Sequence, residues 1–140
     1  MRLGLDDVKA RVRGVKSVAV LGAHVEPDRP AHYVPAALFR AGVTIVPVNA
    51  ALAGQQVFGR TILASLAEID EPIDLLDVFR RSEAVPAHVP EILAMAHRPG
   101  VVWLQSGIRN DAAGDALVAE GVGFVQDRCL MVDFRAWSGR

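Results

Sequence analysis

The stretch VAVLGAHVEPDRPAHYVPAALFRAG, Val18 to Gly42, opens on four apolar residues, bends at one glycine and runs into a segment with apolar residues at helical spacing: Val34, Ala37, Leu38 and Ala41. A buried strand that turns into an amphipathic helix is the repeating unit of α/β proteins. Gly42 stands where a helix C-terminus favours a left-handed residue. Pro30 and Pro35 fit only near a helix start, since neither ring supplies an N–H and an interior proline clashes with the preceding turn. The helix therefore begins near Ala31, and the loop Ala23 to Arg29 is extended and lies over the strand ends.

Working outward, four further apolar runs follow the same grammar: Val43 to Val48, Ile73 to Phe79, Val101 to Gln105 and Val122 to Gln126, with Ser17 to Leu21 as the first. They are near-continuous rather than alternating, as expected of parallel strands covered on both faces. Helical stripes lie between them at Val85, Val89, Ile92, Leu93, Ala96 and at Ala113, Ala116, Leu117, the second closed by Gly121. Leu5, Val8 and Val12 predict a short opening helix. The segment Ala50 to Ser65 has no clean period and reads as a loop with at most a short helix near Thr61 to Leu66, and the terminal DFRAWSGR reads as a surface wrap. Strand and helix alternation with short links implies an open, doubly wound sheet with its ligand beyond the carboxyl ends of the strands, where the strand order reverses.

Length and charge narrow the function. A chain of 140 residues with 51% hydrophobic and 22% charged residues suits one compact domain, residues 1–140 with its core at about 15–135. Net charge of −1 disfavours nucleic acid, which calls for a basic field. Lys9 and Lys16 are the only lysines, so planar arginine contacts to a small anion are favoured. Cys129 is alone, which excludes an internal disulfide, and no metal-ligand spacing is present. No apolar run approaches the roughly 20 residues of a membrane span and the amino terminus has no signal-like apolar region, so the expectation is a cytoplasmic protein with no membrane partner.

The chemistry-bearing residues cluster at the strand ends. Gly22 follows the first strand, and the next helix offers unpaired N–H groups and a positive dipole end to an anion. The three glycines and distant acid of the dinucleotide fingerprint are missing, and Asn49 stands where that acid would be. Arg80 and Arg81 end the third run; adjacent residues of an extended backbone point apart, so Arg80 is taken for the cleft and Arg81 for a salt bridge. The segment LQSGIRN, Leu104 to Asn110, adds an amide, a hydroxyl and a glycine.

In that order, VAVLGAHVEPDRPAHYVP, IVPVNAALAGQQVFG, EPIDLLDVFRRSEAVP, VVWLQSGIRN and DRCLMVD resemble the small CoA-binding proteins, single Rossmann-like domains similar to the CoA-binding domain of the succinyl-CoA synthetase α subunit. The resemblance spans about residues 15 to 135 and implies a five-stranded, mainly parallel sheet with helices on both faces, and coenzyme A or an acyl-CoA as ligand. It implies that Gly22, Ala23 and His24, with Arg29, Ala31 and His32, cradle the pyrophosphate, and that Val48 and Asn49 lie beside the ribose and its phosphate. Val78, Phe79 and Arg80 would flank the adenine, and Gln105, Ser106, Gly107 and Ile108 the pantetheine end. Ala31 replaces a common serine, and Ala50 and Ala51 replace a proline and a basic residue, so a hydroxyl contact to the pyrophosphate and a charged contact to the CoA 3′-phosphate are missing at those positions.

Blander roles fit the remaining candidates. His88 and His97, assigned to a helix from Ala87 to His97, read as solvated, Trp103 as core and Cys129 as a packed thiol. Asp74 and Asp77, at odd spacing in one strand, fall on opposite faces and make no acid and base pair. With no nucleophile turn and no lysine phosphate loop, the expectation is a non-catalytic CoA-binding module. The alternatives are a subunit of an acyl-CoA synthetase or ligase that needs a partner chain, and an NAD-type binding domain. A partner protein or a homodimer stays open.

Overall fold

The computed structural model describes all of residues 1–140. Seven strands and five α-helices follow the order α1 (Leu5–Gly14), β1 (Ser17–Leu21), α2 (Pro30–Arg40), β2 (Thr44–Val48), β3 (Gln56–Val57), β4 (Arg60–Thr61), β5 (Leu75–Val78), α3 (Val85–Leu93), β6 (Val101–Leu104), α4 (Asp111–Ala119), β7 (Gly123–Val125), α5 (Leu130–Trp137). Five strands form one parallel sheet in the order β2-β1-β5-β6-β7, and β3 and β4 make a separate antiparallel hairpin. From β1 the chain first steps outward to β2, then returns to β5 and proceeds the other way. The reversal lies between β1 and β5, whose carboxyl ends therefore part to leave a crevice.

Alternation along each strand divides the apolar residues between two cores. Val18 and Val20 of β1, Leu75 of β5 and Val101 and Trp103 of β6 pack under α1, α2 and α5 with Val12, Leu38, Leu130 and Phe134. Ala19 and Leu21, Leu76 and Val78, and Val102 and Leu104 pack under α3 and α4 with Val89, Ile92, Ala113 and Leu117. The sheet is thus buried on both faces, which is why its strands read as continuous apolar runs. Gly42 (φ +95°) and Gly121 (φ +81°) end α2 and α4 in the left-handed region, as their positions predict.

Four expectations need correction. The region Ala50 to Ser65 holds a 3-10 turn (Ala50–Leu52) and the β3–β4 hairpin, and the next 3-10 turn comes only at Leu66–Glu68, where Glu68 caps the amides of Ala64 and Ser65. The terminus is helical rather than a wrap: Leu130 and Phe134, four residues apart, seat α5 on the sheet, and Arg128 clamps its Asp133, which raises the arginine's pKa. Helix α3 stops at Leu93, so His97 is exposed but not helical. Pro35 lies inside α2 rather than at its start. Its missing N–H leaves the Ala31 carbonyl without a helical partner, and the amide of His24 donates there (3.3 Å).

Candidate functional site

The turn after β1 is defined by Gly22. Its φ is +95°, and a Cβ there would stand 2.5 Å from the carbonyl oxygen of Phe79, so both backbone conformation and the close approach of β5 exclude a side chain. The amides of Gly22 and Ala23 both donate to the carbonyl of Val48 (2.8 and 3.2 Å), and Asn49 Nδ2 donates to the carbonyl of Ala23 (2.9 Å). Asn49 Oδ1 accepts from the Ala51 amide, so its carboxamide is engaged at both ends. His24 is then clipped to α2, through its amide to Ala31 and through its carbonyl to His32 Nδ1 at 2.8 Å. The Glu26 amide donates to His24 Nδ1, and Arg29 Nε donates to Glu26 Oε2, an exposed pair that holds the Glu26 carboxyl below its usual range. Hydrogen bonds within the protein thus tie the loop at Gly22, Ala23, His24, Glu26 and Arg29.

Above the turn opens a cleft of about 450 Å³ at the carboxyl ends of β1, β5 and β6, lined by Gly22, His24, Asp28, Arg29, Pro30, Ala31, Phe79, Arg80, Gln105, Ser106 and Ile108. Nine of the residues named from sequence line it together. The amides of Asp28, Ala31 (in the first turn of α2), Arg80 and Ser106 have no protein acceptor, so they and the side chains supply its free donors. Arg80 is exposed and has no carboxylate partner. The far wall is held by Gln105, whose Oε1 accepts from the Leu130 amide, and by Asp127, left-handed at φ +58°, which accepts from the Gly107 amide at 2.7 Å.

The remaining named residues act from behind or beside the cleft. Ala23, Val48 and Val78 are fully buried, so only their backbone shapes the site. His32 tilts against Phe58, its ring centroid 5.1 Å away, and Gly107 is committed to Asp127. Asn49 lines an adjoining depression of about 320 Å³ that shares Gly22 and Arg80 with the cleft. That depression also holds His88, which is not the solvated residue expected: α3 packs its face toward the sheet, leaving the side chain 19% exposed and Nδ1 bonded to Glu91 Oε1. Apolar periodicity of α3 could not reveal this, because His88 and Glu91 sit at its polar margin and meet the end of β2 only in three dimensions. Arg81, read as a salt-bridge residue, has no ion pair, since the chain turns at once into the 3-10 turn Ser82–Ala84.

One acid stands out beneath the site. Gly22, Phe79 and Gln105 lie two residues beyond Val20, Asp77 and Trp103, so Asp77 belongs to the same face one pleat below the cleft floor. It is completely buried, neither carboxyl oxygen has a partner, and burial pushes its pKa well above the usual carboxylate range. Asp74 lies outside β5 and caps the Lys16 and Ser17 amides, so the two acids form no pair. No group of His, Cys, Asp and Glu side chains has a metal-holding arrangement, and no helix is long and apolar enough to cross a membrane.

A doubly wound parallel sheet with a turn bent at Gly22 after its first strand and an open polar cleft at the switch point defines a Rossmann-like α/β protein. Over residues 16–135 the sequence matches the family described as CoA binding domain, and the chain belongs to that family. It is 37% identical over 126 residues to the uncharacterized protein YneT of Bacillus subtilis (strain 168), covering 90% of each chain. Among solved structures it is similar to cell-free ID.343 from Thermus thermophilus, with a TM-score of 0.91, 46% identity and 96% and 99% of the two chains covered. A hypothetical protein from Pyrococcus horikoshii OT3 superposes with a TM-score of 0.86 at 26% identity, over 96% of this chain and 92% of that one.

Proposed function

We propose that the chain, acting as one unit, binds coenzyme A or an acyl-CoA in the carboxyl-end cleft and catalyses no reaction itself. The observation that carries this reading is the coincidence of the family's span, residues 16–135, with a cleft whose free groups suit a diphosphate with an extended arm. The diphosphate sits at the mouth, facing the Ala31 amide, Arg29 and Arg80, where the positive end of α2 is aimed. The pantetheine arm runs along Phe79, Gln105, Ser106 and Ile108, which mix apolar surface with hydrogen-bonding groups as an amide-bearing chain requires. Arg29 is a latent partner, because its pair with Glu26 is exposed and gives way to a stronger bidentate anion.

Asn49 disfavours NAD. Its amide is committed to Ala23 and Ala51, so no carboxylate receives the ribose hydroxyl pair at the end of β2. Calorimetric titration with CoA, acetyl-CoA and NAD decides between the ligands. Saturable binding of either CoA form, with none of NAD, is expected; absence of CoA and acetyl-CoA binding at near-millimolar concentration overturns the reading. Incubation with acetyl-CoA should return it intact, and its turnover would contradict the non-catalytic part.

A further inference from the structure

The β3–β4 hairpin stands beside the loop that shapes the cleft. Only Phe58 and Gly59 lie between its strands, with φ of +53° and +71°, so both central residues of this two-residue turn are left-handed. Such a turn favours Asn-Gly or Gly-Gly, and an aromatic residue adopts this conformation only where its surroundings impose it. Here the Phe58 ring is buried against His32 (centroids 5.1 Å apart) and Phe39 (5.7 Å), both on α2. The base of the hairpin is clamped as well. Arg60 bonds the Glu71 carboxylate through both terminal nitrogens, and Leu63 donates to the Pro47 carbonyl (3.0 Å) and accepts from the Asn49 amide (2.9 Å). Backbone strain of this kind clusters at positions under a functional constraint.

His32 carries the contact onward. A carbonyl oxygen only accepts, so the 2.8 Å bond between His32 Nδ1 and the His24 carbonyl makes Nδ1 the protonated nitrogen. His24 has the opposite arrangement, its Nδ1 accepting from the Glu26 amide. With the His24 amide bonded to the Ala31 carbonyl, both backbone groups of His24 are held by α2. His24 lines the cleft, whereas Phe58 lies outside it. We propose that Phe58 is a positioning residue for the ligand: its ring fixes the His32 imidazole, which holds the His24 carbonyl and so keeps the cleft mouth in its binding shape. The hairpin thereby reaches the glycine turn from two sides, through His32 to His24 and through Leu63 to Asn49, whose side chain holds Ala23. This inference goes beyond the CoA reading and rests on it for the ligand.

The test is Phe58→Asn, which suits the left-handed turn while removing the ring. Proton–nitrogen correlations of the histidine rings, recorded at about pH 8.5, above the ordinary imidazole range, should show His32 protonated at Nδ1 and His24 at Nε2 in the wild type. In the variant His32 should lose its Nδ1 preference, and calorimetry should find the CoA dissociation constant raised about fivefold or more as the loop loses its preorganisation. An unchanged CoA affinity overturns the positioning role and leaves CoA binding intact. Weakened CoA binding with His32 still protonated at Nδ1 also overturns it, since Phe58 then acts by another route. Absence of CoA binding by the wild type removes the CoA reading and the positioning role with it, while the nitrogen spectra still judge the link from Phe58 to His32. Should Phe58→Asn not fold, Phe58→Leu, which keeps apolar bulk without the aromatic face, takes its place with the same outcomes.

Discussion

The two ends of the parallel sheet each carry a depression, and they differ in what their polar groups are doing. At the amino ends a space of about 230 Å³ is bordered by Arg11, Asp74 and Gly100. There Asp74 Oδ2 accepts from the amides of Lys16 and Ser17 (2.7 and 3.1 Å), and Ser17 Oγ accepts from the Asp74 amide at 3.0 Å. The Asp74 carboxylate and the Ser17 hydroxyl are thus answered within the protein, whereas Arg11 and the Gly100 amide on the same rim have no partner. At the carboxyl ends hydrogen bonds also tie the Gly22 loop, yet Arg80 and the Ala31 and Ser106 amides remain uncommitted above a larger cleft. A concavity with a free arginine does not by itself mark a ligand site; the carboxyl-end cleft is about twice the volume and adds the amino end of α2.

Substitutions at the two ends should therefore separate stability from binding. The largest effect is expected from Gly22→Ala, which meets the Phe79 carbonyl and forces a left-handed alanine: stability falls by roughly 2–4 kcal/mol in urea unfolding and CoA binding is lost. Asp74→Ala should cost about 1–2 kcal/mol of stability through the two orphaned amides while the CoA dissociation constant stays unchanged; a weakened affinity would break the contrast. Asn49→Ala releases the Ala23 carbonyl and should weaken CoA about tenfold, near 1.4 kcal/mol, with a smaller loss of stability.

The last expected effect is a slope with pH. Because the folded-state pKa of Asp77 is raised, its contribution to stability is complete below the ordinary carboxylate value, 3.8, and declines as pH rises from there toward the raised value. The decline is at most about 1.4 kcal/mol per pH unit from this one group. Urea unfolding midpoints across that range should slope downward for the wild type and flatten in Asp77→Asn. A slope that survives the substitution assigns the effect to another group.

Much of this was legible in the chain. Continuous apolar runs at Val18 to Leu21 and Val101 to Leu104 announced a sheet covered on both faces, and Gly22 and Gly42 announced its turns, because hydrophobic burial and positive φ are local demands. The terminal helix was hidden because Leu130 and Phe134 are too few to set a period by eye, and their partner is a sheet face far away in sequence. Pro35 misled for a better reason: propensity forbids it inside a helix, but the carbonyl it abandons is answered by His24 from a loop seven residues upstream of Ala31. His88 and Glu91 escaped because their significance depends on α3 facing the end of β2. Asp77 reads as an ordinary acid in a strand, and only burial without a partner sets it apart.

The central claim is that CoA occupies the carboxyl-end cleft over the Gly22 turn. Titrating the ¹⁵N-labelled chain with CoA tests it residue by residue. Amide shifts should concentrate at Gly22 to Ala31, Asn49, Phe79 to Arg80 and Gln105 to Ile108, while Arg11, Lys16, Asp74 and Gly100 at the amino end stay still. Shifts centred on the amino end, or none at saturating CoA, would contradict the account.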